Sequence, residues 1–111
     1  PAIFAFHRNH AFMTTYFVSR HPGAREWAAE EGIVVDQMIA HLDLATIQPG
    51  DVVIGTLPVN LAARVCQQGG RYLHLSLALP ADRRGQELSA ADLRRFGARL
   101  EEFRITAVSV V

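Results

Sequence analysis

The segment DVVIGTLPVNLAARV, residues 51–65, contains the change of pattern that decides the fold. It begins as a short, continuous apolar run, typical of a strand buried on both faces, and this run ends at residues 55–56. The spacing of an amphipathic helix follows at once, with Leu57, Leu61 and Val65 on one stripe. A strand that passes directly into a helix is the building unit of α/β proteins, so this corner predicts that class.

The same alternation extends to both sides of the corner. Strands are predicted at 14–19, within 33–43, at 51–56, at 71–79 and at 104–111, and helices at 21–32, 57–70 and 88–103. The pattern predicts a single Rossmann-like domain, in which a mainly parallel sheet of about five strands carries helices on both faces.

Three local patterns add detail to this prediction. The link at 43–51 is short for a parallel crossover, which needs roughly a dozen residues, so it holds a cramped helical turn unless one strand pairs antiparallel. In the fourth strand, Tyr72, His74 and Ser76 alternate with leucines, which predicts a polar and an apolar face. At the start of the last helix, Ser89 and the acid three residues later form a capping-box pattern.

The overall composition limits the possible partners. Eleven basic residues balance eleven acidic ones, which argues against coating long nucleic acid but leaves room for a small anionic ligand. The single cysteine excludes an internal disulfide and a Cys-rich zinc site, and no segment approaches the ~18 apolar residues of a membrane span, so a cytoplasmic protein is expected. Residues 1–12 are interpreted as a leader or extension outside the fold, which leaves 13–111 as the ligand-binding domain.

Ligands of open α/β sheets bind at the carboxyl ends of the strands, so the candidate residues follow each predicted strand. Those singled out are Ser19, Arg20, His21, His41, Asp43, Gly55, Thr56, Leu57, Pro58, Asn60 and Ser76. Together they supply hydroxyls, imidazoles, a guanidinium and a helix start.

The corner at 55–60 is the candidate anion site. A helix start exposes unpaired N–H groups that bind phosphate, and this helix has no acidic residue up to Gly70. Thr56 is expected to cap the helix and Pro58 to lie in its first turn. The alternative is an ordinary strand-to-helix corner that binds nothing.

Residues 19–21 are the candidate reactive cluster. Arginine stabilises phosphoryl oxygens, histidine moves protons near neutral pH, and serine positions a reacting group. His41 and Asp43 lie two apart on a predicted strand, where they share a face and could form an imidazole–carboxylate pair. In each case the alternative is a structural role, at a helix start for Ser19 and His21 and as a satisfied histidine for His41.

Two other kinds of chemistry fit the sequence poorly. A Ser-His-Asp hydrolase lacks the G-x-S-x-G elbow, although the three residue types are present. The histidines at 21, 41 and 74 do not have metal-ligand spacing, so neither a metal nor another cofactor is expected.

Several segments together resemble a known family. They are MTTYFVSRHPGAREW, AHLD, IQPGDVVIGTLPVNLAARVC, RYLHLSLALP and RRGQELSAADL, which span about residues 13–104. Their combination resembles the small CRISPR-associated accessory proteins of type III systems, single-domain members of the Rossmann-like, CARF-related ring nuclease group.

This resemblance implies a ligand and a reaction. The ligand is cyclic oligoadenylate, with cyclic tetra-adenylate as the expected ring, held across the two-fold axis of a homodimer. The ribose 2′-OH attacks its own phosphate, which gives linear products ending in a 2′,3′-cyclic phosphate and switches off the signal without a metal. On this hypothesis residues 55–60 hold phosphate, Arg20 stabilises charge, Ser19 positions the phosphate, and His21, with His41 second, transfers the proton. The alternative is a sponge or sensor that binds the ring without cutting it.

Overall fold

The computed structural model describes residues 13–110, so the predicted leader at 1–12 lies outside the described part. The strands are β1 (Thr15–Val18), β2 (Gln37–Ile39), β3 (Val52–Gly55), β4 (Arg71–Ser76) and β5 (Arg99–Phe103). The helices are α1 (Gly23–Glu30), α2 (Val59–Gln67) and α3 (Ala90–Arg95), and short 3₁₀ turns lie at Leu44–Thr46 and Ala81–Arg83.

The five strands form one sheet in the order β2-β1-β3-β4-β5. The first four strands of this order pair in parallel, and β5 pairs antiparallel with β4. The predicted α/β class with a mainly parallel five-stranded sheet is therefore confirmed. The link between β2 and β3 contains the 3₁₀ turn Leu44–Thr46, and β2 runs parallel to β1, so the helical-turn alternative is the correct one.

Helices cover both faces of the sheet, as the sequence predicts. One buried cluster joins the α1 and α3 side chains Trp27 and Leu93 to Phe17 and Leu73 of the sheet. A second cluster joins α2 to the opposite face, where it includes Tyr16, Val53, Val65 and Tyr72. The pleat of β4 therefore separates its leucines from Tyr72, His74 and Ser76 as expected.

Asp51 fixes the start of the corner segment. Its side chain is only 1% exposed. One carboxylate oxygen accepts from the Thr14 amide at 2.9 Å and the other from the Gln48 amide at 2.9 Å. These bonds satisfy a buried carboxylate and tie the turn before β3 to the start of β1, so the two strand ends stay aligned.

The predictions for the C-terminal segment are wrong in two respects. The helix predicted at 88–103 ends at Arg95, because Gly97 adopts a left-handed φ of 72° and stops it. Residues 99–103 then form β5, and the strand predicted at 104–111 is absent over 104–110. Leu100 satisfies a helical stripe and a strand alternation equally well, and pairing with β4 selects the strand. The Ser89 capping box is confirmed.

Candidate functional site

A cleft of about 510 Å³ opens at the carboxyl ends of β1 and β3. Its walls come from the strand ends and from the loop that precedes α3, and they consist of Val18, Ser19, Arg20, His21, Ala40, Thr56, Leu75, Gly85, Gln86 and Glu87. This is the edge of the sheet at which open α/β proteins bind ligands. The cleft brings together four residues predicted from two strand ends: Ser19, Arg20 and His21 after β1, and Thr56 after β3.

The segment after β1 is held in a tight turn. The Ser19 amide donates to the Ile39 carbonyl at 2.9 Å, and the Ser19 hydroxyl accepts from the His21 amide at 3.0 Å. The Arg20 side chain is thereby left at the cleft wall, where a guanidinium nitrogen lies 3.3 Å from His41 Nε2. This turn therefore places the Arg20 cation at the cleft wall, beside the Ser19 hydroxyl and the His41 ring.

His41 and Asp43 do not lie on a strand, so the predicted pairing along a strand is wrong. β2 ends at Ile39, and the chain then turns because the Asp43 carboxylate accepts from the Ala45 amide at 3.0 Å and caps the 3₁₀ turn. Asp43 is used in this local structure outside the cleft, whereas His41 contacts Arg20.

His21 connects the first turn to the loop before α3. Its Nδ1 accepts from the Leu88 amide at 3.3 Å, and the Gly23 amide donates to the Leu88 carbonyl at 3.1 Å. A side chain at Gly23 would lie 2.2 Å from the Ala90 amide nitrogen, so the two segments touch directly. Because Nδ1 is an acceptor here, the neutral His21 ring carries its proton on Nε2.

The corner between β3 and α2 differs from its prediction. Thr56 does not cap the helix, because its hydroxyl donates to the Leu75 carbonyl at 3.2 Å. The helix begins at Val59, with Pro58 at the N-cap rather than in the first turn. At Gly55 an added Cβ would lie 2.8 Å from the Val18 carbonyl oxygen, which explains the glycine.

The Tyr72 hydroxyl holds the backbone of this corner through hydrogen bonds. This hydroxyl accepts from the Leu57 amide at 2.9 Å and lies 3.1 Å from the Gly55 carbonyl and 2.7 Å from His74 Nδ1. Burial raises the pKa of the Tyr72 phenol, and the Leu57 amide opposes this shift. The hydroxyl therefore bridges the two residues that flank Thr56.

The remaining predicted residues are divided between other surfaces. Leu57 and Ser76 line a second hollow of about 500 Å³, together with Val59, Tyr72, His74, Phe103, Arg104 and Ile105. We call this hollow the aromatic groove. Asn60 borders a separate depression beside residues 104–107. The corner at 55–60 therefore supplies Thr56 to the cleft and Leu57 to the groove.

The loop at 85–87 was missed by sequence reasoning, which singled out no residue in it. In the structure Arg83 bonds to the Gln86 side chain at 3.0 Å and to the Asp92 carboxylate at 3.0 Å. These bonds hold the loop so that Glu87 reaches the cleft wall. The only sequence signal was the polar run before the capping box.

These groups define what the cleft can do chemically. Arg20 and the Nε2–H of His21 are donors suited to phosphoryl oxygens, and the carboxylate of Glu87 accepts protons. Across residues 13–110, no group of three or more His, Cys, Asp or Glu side chains is arranged to hold a metal ion. No helix among these residues is long and apolar enough to cross a membrane.

Fold and cleft together define a Rossmann-like α/β domain with a ligand-sized cleft at the carboxyl ends of its parallel strands. The chain belongs to the family described as "Putative CRISPR-associated protein (Cas_VVA1548)", whose model matches residues 16–106. The CRISPR association expected from the sequence is thereby confirmed. Comparison with curated proteins and with solved structures finds no match.

Proposed function

We propose that this protein is a ring nuclease of type III CRISPR systems, which binds cyclic tetra-adenylate in the cleft and cuts it. The observation that carries the proposal is the meeting of Ser19, Arg20, His21 and Thr56 with Glu87 around one cleft. Hydroxyl, guanidinium and imidazole donors suit a phosphodiester, and a carboxylate beside them suits removal of a hydroxyl proton. Membership of a CRISPR-associated family supports the biological setting.

The reaction is an internal phosphoryl transfer. The ribose 2′ oxygen forms a bond to the adjacent phosphorus, the bond from phosphorus to the 5′ oxygen breaks, and a 2′,3′-cyclic phosphate remains. Arg20 and the Nε2–H of His21 stabilise the charge that builds on the non-bridging oxygens, and Ser19 positions the phosphate. The 2′-OH proton passes to Glu87, and the departing 5′ oxygen takes a proton from water in the open cleft. The hydroxide left behind takes the proton from Glu87, which restores the carboxylate.

This scheme changes the role that the sequence suggested for His21. A neutral imidazole whose Nδ1 accepts the Leu88 amide has its proton on Nε2, which suits donation to a phosphate oxygen rather than acceptance of a proton. Glu87 is therefore the first candidate for the proton acceptor. His41, which lies beside Arg20, is the second.

A homodimer fits the ligand. Cyclic tetra-adenylate has rotational symmetry and carries one negative charge per phosphate, so a two-fold axis can present two identical clefts to one ring. A chain of 12.2 kDa offers little surface to enclose such a ring alone. A sedimentation mass of one chain in the presence of bound ring would contradict the shared site.

The decisive test incubates the purified protein with cyclic tetra-adenylate, in EDTA and in parallel with Mn²⁺, and separates the products by chromatography. Linear products with a cyclic phosphate in EDTA are expected. Glu87→Gln should lower the single-turnover rate at least tenfold, about 1.4 kcal/mol of barrier, and leave binding equal or tighter because a negative charge is removed. Glu31→Gln, on an exposed residue at the end of α1, is the matched control.

A second pair of variants tests His21. His21→Asn keeps an acceptor near the position of Nδ1, so the Leu88 bond survives, but it removes the Nε2–H donor. We expect both His21→Asn and His21→Ala to slow cleavage at least about tenfold while the ring still binds. An unchanged rate for the asparagine variant would leave His21 with a structural role alone.

The alternative function is capture of the ring without cleavage. The engagement of His21 Nδ1 with the Leu88 amide favours it, because this histidine is not available as a base. Tight binding with an intact ring after prolonged incubation, in EDTA and in Mn²⁺, would support a sponge or sensor. Absence of binding would contradict both functions.

A further inference from the structure

We propose that the aromatic groove is a second binding site and that it takes an adenine nucleotide, with the base against Phe103 and the phosphate near Arg104. Among the described residues, Phe103 is an exposed large apolar side chain, 44% accessible, and Val59, which also lines the groove, is 68% accessible. The groove volume of about 500 Å³ is that of a small-molecule pocket. The choice of adenine rests on the proposed function, whereas the site itself does not.

The three aromatic rings of the groove contact one another edge-on, with His74 between Tyr72 and Phe103. The His74 ring lies edge-on to Tyr72 with centroids 5.8 Å apart, and edge-on to Phe103 with centroids 5.9 Å apart. A half-exposed phenyl ring is a platform for a heteroaromatic base, and such stacking is a principal source of affinity for unpaired bases.

Polar groups at fixed positions supply hydrogen bonds for the base. The Tyr72 hydroxyl holds His74 Nδ1 at 2.7 Å, and His74 Nε2 has no partner within residues 13–110. The Ser76 hydroxyl donates to Glu101 at 2.6 Å, so its oxygen remains an acceptor for the amino group of adenine. A mostly apolar pocket with a few oriented polar groups is the usual form of a small-ligand site.

Charge complementarity selects a nucleotide over an uncharged base. Arg104 lines the groove, and its charge lowers the pKa of Glu102. It forms no ion pair within 4 Å with another described side chain, so its guanidinium can accept a phosphate as a closer partner. The chain is held there because the next amide, of Ile105, donates to Cys66 Sγ at 3.5 Å on α2. The wall that carries the cation is thus anchored to the helix.

The groove adjoins the cleft through the β3–α2 corner. Thr56 lines the cleft and Leu57 lines the groove. On β4, Leu75 lines the cleft, whereas its neighbours His74 and Ser76 line the groove. A base bound in the groove therefore lies across the sheet edge from a phosphate bound at Arg20.

The test uses adenosine 5′-monophosphate as the probe and follows the amide NMR spectrum of the ¹⁵N-labelled protein. We expect saturable shifts at Val59, Phe103 and Arg104 and none with ribose 5-phosphate at the same concentration. Phe103→Ala should weaken the apparent affinity about tenfold, and Arg104→Gln should weaken it less. Val34→Ala, at a 61% exposed valine, is the matched control and should change nothing.

The outcomes separate this inference from the proposed function. Arg20→Ala should abolish ring cleavage and leave the groove shifts intact, and groove shifts in a protein that never cuts the ring would support the second site alone. Shifts confined to 19–21, equal shifts with ribose 5-phosphate, or no effect of Phe103→Ala and Arg104→Gln would overturn the inference. A Phe103-dependent dimer that excludes the nucleotide would also overturn it, because the groove would then bind a second copy.

Discussion

The cleft and the aromatic groove have similar volumes, about 510 and 500 Å³, and they share one corner of the chain, yet their chemistry is opposite. The polar side chains that line the cleft are charged groups, hydroxyls, an imidazole and an amide, and they come from three separate segments, at 19–21, 56 and 86–87. The groove is lined by rings and aliphatic side chains, with one cation at Arg104. The pleat of β4 accounts for part of this difference, because successive residues of a strand point to opposite faces.

The two sites also differ in how their walls are supported. The cleft wall depends on contacts between the starts of α1 and α3, where the Gly23 amide and the His21 side chain bond to the Leu88 backbone. The groove floor depends on side-chain bonds that converge on the Tyr72 hydroxyl. The structure of the cleft should therefore change when the packing of α1 against α3 is altered. The structure of the groove should change when a single hydrogen-bonding atom, such as the Tyr72 hydroxyl, is removed.

The largest expected effect is that of Gly23→Ala. Its new methyl would lie 2.2 Å from the Ala90 amide nitrogen, so α1 and α3 must separate, at a cost of about 3 kcal/mol in the free energy of unfolding. Gly32→Ala is the control, because Gly32 has open space and only a left-handed φ of 73°, which costs about 1 kcal/mol. Urea unfolding measures both, and equal costs would show that the α1–α3 contact is not tight.

The next effect is that of Tyr72→Phe. Loss of the hydroxyl leaves the Leu57 amide without its acceptor, which should cost about 1–2 kcal/mol and shift the amide resonances of both Thr56 and His74. Tyr16→Phe is the matched control, because the Tyr16 hydroxyl has no hydrogen bond within the described residues. Shifts confined to the groove would mean that the two sites are not coupled through the corner.

The buried Tyr72 phenol also leads us to expect that the stability of the fold depends on pH in the alkaline range. Burial raises the pKa of this phenol in the folded state above the ordinary value of about 10, so the unfolded chain loses this proton first. The stability from the neutral phenol is fully present below pH ~10 and is lost as the pH rises through the folded pKa. Tyr72→Phe should flatten that alkaline limb in unfolding curves, and Tyr16→Phe should not.

The apolar periodicity predicted the layers of this fold where the pattern of a segment favours one type of secondary structure. The apolar run at 52–55 is too short for a typical helix and is flanked by turn residues, which favours a buried strand. The alternation in β4 correctly placed Tyr72 and Leu73 on opposite faces. The periodicity failed for β5, where Leu100 fits both a helix stripe and a strand. That choice depends on pairing with β4, which no local pattern encodes.

The candidate site was predictable only as far as strand ends determine it. Ser19, Arg20, His21 and Thr56 share the cleft because parallel strands end at one edge of the sheet. Glu87 could not be predicted, because its position depends on the contact between Gly23 and Ala90, 67 residues apart. Thr56 was expected to cap a helix, but its hydroxyl donates to the Leu75 carbonyl on the neighbouring strand β4.

A smaller effect is expected from Ser89→Ala, which breaks the capping box of α3. The Ser89 amide, then the Ser89 hydroxyl and Arg83, lower the pKa of Asp92. The stability that these contacts give through the Asp92 carboxylate is therefore present above the ordinary carboxyl pKa and is lost as the pH falls. Ser89→Ala should cost about 1 kcal/mol at neutral pH and Ser89→Gly only a few tenths of that. Amide shifts should appear at 85–88 beside the cleft, and shifts of the groove resonances would contradict the separate support of the two sites.

The smallest effect should come from Glu102→Gln, beside the groove on β5. Glu102 pairs with Arg71 through two bonds of 2.9 and 2.8 Å, but the side chains are 46% and 43% exposed, so water and salt screen the pair. Arg71 lowers the pKa of Glu102, and the pair's contribution is therefore lost as the pH falls through that value. We expect the variant to lose less than about 1 kcal/mol at neutral pH and less still in high salt. A larger loss that persists in high salt would contradict this expectation, because β4 and β5 would then be held together by this pair rather than by their backbone ladder.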